Sequence, residues 1–164
     1  MNPNRITLEK LTEANFSQIK RIRREDISED FVDSADTLME LTLYGSEHHC
    51  LGCTYAIKYG RAYIGVLLLG EALAWATDPV EMQGVPFYRL MGFVLDKRCR
   101  GNGIGGIVLE MAIADCFRSF GTRPIALGCH RDNQRAADFY LRHGFVPNPA
   151  MDGNDRYYLR YPES

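Results

Sequence analysis

The sequence predicts an α/β fold, a mixed, mostly antiparallel sheet with a central parallel strand pair and flanking helices. Antiparallel strands come first, as apolar and β-branched runs joined by a glycine turn. A strand, helix, strand, helix order then runs from Phe87 to His143 and requires a parallel pair near the centre of the sheet. At 164 residues the chain matches one domain, 1–164, able to bury a real core without disulfides or metal.

Each element carries its own signal. Ile6 to Leu11 alternates as a short strand, and Asn15 to Arg24 places Phe16, Ile19 and Ile22 at helical spacing. Thr37 to Tyr44 repeats the helical pattern with Leu38, Leu41 and Leu43, behind Ser34 and Asp36 as candidate caps. Thr54 to Lys58 and Tyr63 to Leu69 are strands flanking the hairpin turn Tyr59-Gly60-Arg61-Ala62. A looser stretch, Gly70 to Pro86, leads to a strand from Phe87 to Leu95. Gly105 to Phe120 is a substantially buried helix ending before Gly121. Ile125 to Cys129 is a strand, Asn133 to His143 a helix stopped by Gly144, and Phe145 and Tyr157 to Tyr161 begin and end a last hairpin.

Composition excludes several classes. With 46% hydrophobic and 24% charged residues, neither disorder nor a fibrous repeat is indicated. A net charge of −2 argues against general nucleic-acid binding, which favours a basic face. MNPNRITLEK lacks the apolar core of a signal peptide, and apolar runs such as Val66 to Leu69 are far too short to cross a bilayer. The expected location is the cytoplasm, with no membrane partner. Five irregularly spaced cysteines read as reduced thiols. His48, His49, Cys50 and Cys53 offer metal ligands, but no second paired cluster follows, so no metal is expected. Cys99, flanked by Arg98 and Arg100, is expected to have a lowered thiol pKa.

The chemistry concentrates in Arg100-Gly101-Asn102-Gly103-Ile104-Gly105-Gly106, between a strand and a buried helix. Backbone N–H groups and the helix dipole converge there on an anion, glycines admit a close phosphate, and Lys97, Arg98 and Arg100 add positive charge. Gly101, Gly103 and Gly106 also satisfy the dinucleotide pattern G-x-G-x-x-G. Three features disfavour a nicotinamide cofactor: Asp96 to Arg100 separate the strand from the first glycine, antiparallel strands precede it, and the next strand ends in Gly128, Cys129 and His130 without an acid.

Arg100, Gly103 and Gly105 match the signature of the GNAT superfamily of N-acetyltransferases, and the sequence resembles that family again in Asn133, Ala136, Ala137, Phe139, Tyr140, Gly144 and Phe145. The resemblance is specific from about Phe87 to Phe145. It implies a GNAT-like fold and an N-acetyltransferase using acetyl-coenzyme A as co-substrate. Phe93, Val94 and Leu95 would present backbone groups to the pantetheine arm, and the turn from Arg100 through Gly101, Asn102, Gly103, Ile104, Gly105 and Gly106 would hold the pyrophosphate. Asn133 would face the cofactor, and Tyr140, the catalytic residue, would sit near its sulfur. Proton transfer from a tyrosine near pKa 10 to a thiolate near 8.5 runs uphill by roughly 2 kcal/mol, so hydrogen bonding outweighs complete transfer.

The family reaction is direct attack by a neutral amine. No acid lies within Phe87 to Leu95, where relatives carry a general base, which leaves Glu71, Asp78 and Glu81, with Glu71 ranked first for following its strand closely. Glu25, Asp26, Glu29, Asp30, Asp33 and Asp36 form an acidic segment in the region that lines the acceptor site in relatives. It favours a small cationic, polyamine-like acceptor. Other amines, on aminoglycosides, amino acids or peptides, stay open, as does a coenzyme A-binding sensor without turnover. A homodimer stays open beside a monomer.

Overall fold

Residues 1–163 are described by a computed structural model, whose seven strands form one sheet in the order β1-β2-β3-β4-β5-β7-β6. β1 (Ile6–Lys10), β2 (Gly52–Tyr59), β3 (Ala62–Glu71) and β4 (Tyr88–Leu95) pair antiparallel in succession. Tyr59 faces Ala62 across the predicted hairpin turn. β5 (Ile125–His130) runs parallel to β4, and β6 (Val146–Asp152) and β7 (Asp155–Arg160) close the sheet as a hairpin whose inner strand, β7, pairs with β5. The parallel pair is where the strand, helix, strand order requires it.

Period-two alternation sends side chains to two faces. Ile57, Leu67, Leu69, Tyr88, Leu90, Ile125 and Leu127 point to the face covered by α3 (Ile104–Phe120) and α4 (Gln134–Arg142). Ala56, Val66 and Val94 meet Leu38 and Met39 of α2 (Ala35–Glu47) and Ile19 of α1 (Phe16–Ile19) on the other. Farther along that second face Ala126, Tyr157 and Leu159 pack under Met82 and Phe87. Ser34 caps α2, its hydroxyl accepting the Thr37 N–H at 3.1 Å.

The predicted helix Asn15 to Arg24 is a single turn, Phe16–Ile19. Its spacing still buries Ile19 and Ile22, but the chain then leaves the helical path. The Arg23 N–H donates to Asp96 Oδ2 at 3.1 Å, and Arg23 O accepts the Lys97 N–H at 2.8 Å. Main-chain groups that would continue the helix are thereby claimed by the turn after β4.

His48 to Leu51 form a loop between α2 and β2, with His48 stacked on Tyr44 at 3.9 Å, and β2 begins at Gly52, two residues before the strand start read from the sequence. Burial pushes the Cys53 thiol up to about 11. No group of three or more metal-ligating side chains occurs among the described residues, and among them no helix is long and apolar enough to cross a membrane.

Candidate functional site

β4 and β5 run side by side for only two residues, Tyr88 with Ile125 and Arg89 with Ala126. Beyond Arg89 the β5-facing edge of β4 has no strand partner, so the main chain from Leu90 to Leu95 borders a split between two parallel strands. An extended ligand can pair with such an edge as a further strand would. Phe93, Val94 and Leu95 lie on this stretch, and Leu95 O already accepts Arg100 Nε at 2.9 Å.

A bulge interrupts β4 at the same place. Val66 pairs with Val94 and Leu68 with Met91, so Gly92 and Phe93 together face the single residue Leu67. The extra residue reverses which face later side chains point to, sending Leu90 toward α3 but Val94 toward α2. Gly92 sits at φ 64, and a Cβ there would lie 2.5 Å from Leu38 Cδ2. Only glycine fits both demands.

The glycine turn ends in α3, whose N-cap is Gly103 at φ 74 with no side-chain cap. The first-turn N–H groups of the helix are left without intrahelical partners, at the positive end of its dipole. Gly101 is also left-handed, at φ 83, and Asn102 is exposed. Ile104 is buried and anchors the turn in the core. Gly105 and Gly106 serve packing as well: a Cβ at Gly106 would lie 2.7 Å from the His143 ring, and one at Gly105 would lie 3.4 Å from Phe139. They set how closely α3 approaches α4.

The positive charge expected around this turn is already paired. Arg98 binds Asp96 through Nε at 2.9 Å and Nη2 at 2.8 Å, Arg100 binds Asp26, and Lys97 binds Glu25. Asp96 is 1% exposed, and its Arg98 pair, helped by the Arg98 and Arg23 N–H groups, holds the carboxyl well below the usual range against the opposing effect of burial. The main-chain N–H groups at the start of α3 are thus what the turn leaves available to an anion. The same packing overturns the expected reactivity of Cys99: it is buried, and desolvation, reinforced by Asp96, pushes its thiol up despite Arg98.

On α4, Asn133 is the N-cap, its side-chain oxygen accepting the Ala136 N–H at 3.3 Å. Tyr140 is 8% exposed, set edge-on against Phe139 at 5.2 Å and Phe145 at 5.4 Å. Its hydroxyl makes no hydrogen bond among the described residues, and burial pushes its pKa well up. Complete proton transfer to a thiolate is thus more uphill than an ordinary tyrosine would make it.

Gly92, Phe93, Asn133, Ala136 and Tyr140 line one cavity of about 260 Å³ that opens between the split strands. Five carboxylates join them: Glu29, Asp30 and Asp33 from the α1–α2 connection, and Asp152 and Asp155 from the last hairpin. The acidic segment is divided, since Glu25 and Asp26 pair with the cations at the glycine turn and Asp36 with Lys20. Arg89 alone among the described residues brings positive charge to this lining, and Asp78 neutralises it. A second cavity of about 550 Å³ lies between α2 and the ends of β2 to β4, sharing Trp75, Arg89 and Met91 with the first.

The three base candidates separate. Asp78 is 6% exposed and accepts Arg89 Nη1 at 3.1 Å, Arg89 Nη2 at 3.2 Å, Tyr157 Oη at 2.8 Å and the Trp75 N–H at 2.9 Å. Burial alone would raise its carboxyl, but these donors hold it below the usual range. Glu81 is exposed and accepts Asn148 Nδ2 at 3.0 Å. Glu71 lines the larger cavity, with Oε1 accepting the Leu51 N–H at 3.2 Å. Arg89, Trp75, Asp152 and Asp155 were not anticipated. No local signal marks them, because the strand order that gathers them comes from pairing between distant segments.

Residues 16–145 match the model of the acetyltransferase (GNAT) family. No curated protein matches the chain. Among solved structures, a PaiA N-acetyltransferase of Thermoplasma acidophilum in complex with coenzyme A superposes with a TM-score of 0.69 at 18% identity, over 96% of this chain and 99% of that one. An acetyltransferase of Salmonella typhimurium that modifies the N-terminal serine of ribosomal protein L7/L12 gives 0.73 at 16% identity, over 96% and 95%. Arabidopsis thaliana Naa50, bound to a coenzyme A-peptide bisubstrate analogue, gives 0.64 at 18% identity, over 94% and 97%. The split strands, uncapped glycine turn and Asn133-led helix thus fall within the span of the family match, and the chain belongs to the GNAT family of acetyltransferases, which draw their acetyl group from acetyl-coenzyme A.

Proposed function

We propose that the protein acetylates a primary amine on a small cationic, polyamine-like acceptor. The observation that carries this reading is the cavity between β4 and β5, with five carboxylates and no unpaired cation in its described lining. An ammonium 4 Å from a carboxylate gains about 1 kcal/mol in water and about 4 where the effective dielectric is near 20, so several carboxylates decide which acceptors enter. The adjoining larger cavity, with Leu41, Leu51, Leu68 and Met91 in its wall and Glu71 among its polar groups, suits methylene spacers ending in a further ammonium.

In this reading the pantetheine arm lies along Phe93 to Leu95, and the pyrophosphate takes the N–H groups from Gly101 to Gly106. Asn133 orders α4 beside the cofactor. The neutral amine attacks the thioester carbon, the carbon–sulfur bond breaks, and Tyr140 donates a hydrogen bond to the departing thiolate. The five free cysteines fit a reducing, cytoplasmic setting.

Gly103→Ala forces a side chain into a left-handed position, a cost of about 1–2 kcal/mol that arises from strain alone, since its Cβ meets nothing within 4 Å. Coenzyme A affinity measured by calorimetry is expected to fall roughly 5- to 30-fold. Unchanged affinity would detach the turn from the cofactor.

The acceptor is tested by releasing free thiol from acetyl-coenzyme A with polyamines, aminoglycosides, amino acids and peptides. Diamines and polyamines are expected to give the highest kcat/KM. Preference for peptides or uncharged amines would overturn the polyamine reading while leaving acetyl transfer intact.

A further inference from the structure

The carboxylate wall creates a chemical conflict. It attracts an ammonium, yet it also favours the charged form, which has no lone pair for attack. A group inside the cavity has to take the proton. β4 has no acid, Asp78 is committed to Arg89, and Glu81 is exposed on the far side of a bond to Asn148.

Asp155 is placed differently. It opens β7 opposite His130 of β5, on the same face as Tyr157 and Leu159. Its side chain lies over Gly128, where a Cβ would come within 3.3 Å of Asp155 Cβ and 3.4 Å of Oδ2, so the missing side chain of Gly128 is what gives the carboxylate its seat. It makes no hydrogen bond or ion pair among the described residues, and it lines the cavity that also holds Tyr140, a residue 8% exposed whose hydroxyl is likewise without a hydrogen bond among them. The cavity thus brings together an acid-base group from β7 and a hydrogen-bond donor from α4, with the bulge residue Gly92 in the same lining.

We propose that Asp155 is the general base that deprotonates the acceptor ammonium, an assignment that rests on the amine-acceptor reading above. An ammonium N–H bond breaks and its proton passes to an Asp155 oxygen, directly or through one water. The freed nitrogen pair forms the carbon–nitrogen bond, and the carbon–sulfur pair leaves on sulfur. The second nitrogen proton then neutralises the thiolate, giving amide and thiol, and Asp155 returns its proton to solvent. The groups facing Asp155 are His130 from β5, Asp152 from β6 and Asp33 from the α1–α2 connection. Burial raises its carboxyl toward the range useful for a base, His130 opposes the rise, and Asp152 and Asp33 add to it.

The test compares Asp155→Asn with wild type on two acceptors, a primary alkyl diamine and an arylamine that is neutral at pH 7. With the diamine, kcat is expected to fall at least about 10-fold, and the acidic limb of the wild-type kcat/KM profile is expected to disappear. With the arylamine, which has no proton to lose before attack, kcat is expected to change less than about twofold. Coenzyme A affinity by calorimetry reports whether the variant is folded, and Asp155→Ser replaces it if it is not. Equal loss on both amines, or an unchanged diamine profile, overturns the assignment. If wild type acetylates no amine, the acceptor reading falls and the assignment with it; diamine turnover that Asp155→Asn leaves intact removes the assignment alone.

Discussion

Tyr140→Phe is expected to lower kcat by about 100-fold, close to 3 kcal/mol, while leaving coenzyme A affinity within about twofold. The ring is held from both sides by Phe139 and Phe145, so removing one oxygen leaves the packing of α4 in place. The hydroxyl has no hydrogen bond to lose among the described residues, so the substitution orphans no buried partner. Its effect belongs to the moment when charge develops on sulfur in a site with little water. Burial has raised the phenol too far for easy ionisation, which makes it a hydrogen-bond donor across the working pH range. Steady-state kinetics with saturating acetyl-coenzyme A, together with calorimetry, check the split. A fall in affinity with unchanged kcat would make Tyr140 a wall of the pocket and nothing more.

Asp78→Ala is expected to destabilise the protein by about 3–5 kcal/mol, because it strands the Arg89 guanidinium in a site where both side chains are 6% exposed. The carboxylate is the shared acceptor of Arg89, Tyr157 and the Trp75 N–H, and Trp75 covers the guanidinium at 3.6 Å. Its loss therefore releases the β3–β4 connection from the cavity that Trp75 and Arg89 line. Because the folded carboxyl lies below its unfolded value, the stability it contributes is present above about pH 4 and lost as pH falls through the folded pKa. Urea unfolding at pH 7 measures the cost. Arg89→Met with Asp78→Leu should recover most of it, since removing both charges leaves neither uncompensated. A single-variant cost below about 1 kcal/mol would mean that water reaches the pair.

The elements around the glycine turn were legible in the sequence because their parts are local. The glycine turn, the helix it starts and the Asn133-to-Phe145 motif each need only neighbouring residues, and the strand, helix, strand order fixed where the parallel pair would fall. The carboxylate-lined cavity was not legible. Asp155 and Asp152 lie in an ordinary hairpin turn until β7 inserts beside β5, and Arg89 reads as a strand residue until Asp78, eleven positions earlier, folds back on it. Asn15 to Arg24 failed as a helix for the same reason, with hydrogen bonds to a turn more than seventy residues away overriding a good local pattern. The charges of Lys97, Arg98 and Arg100 were visible, but their partners were not.

Those pairings separate the two half-sites in their response to ionic strength. Mobile ions screen exposed charges within about 8 Å at physiological salt, while oriented main-chain dipoles at a helix start keep their geometry and most of their field. In the proposed reading, a turn whose cations are already spent on Glu25, Asp96 and Asp26 presents such dipoles to a diphosphate, whereas the cavity wall presents carboxylates that form no ion pair among the described residues. Raising salt should therefore increase KM for a cationic acceptor several-fold more than KM for acetyl-coenzyme A. The cell's ionic composition would then tune how much amine is captured while the donor stays loaded.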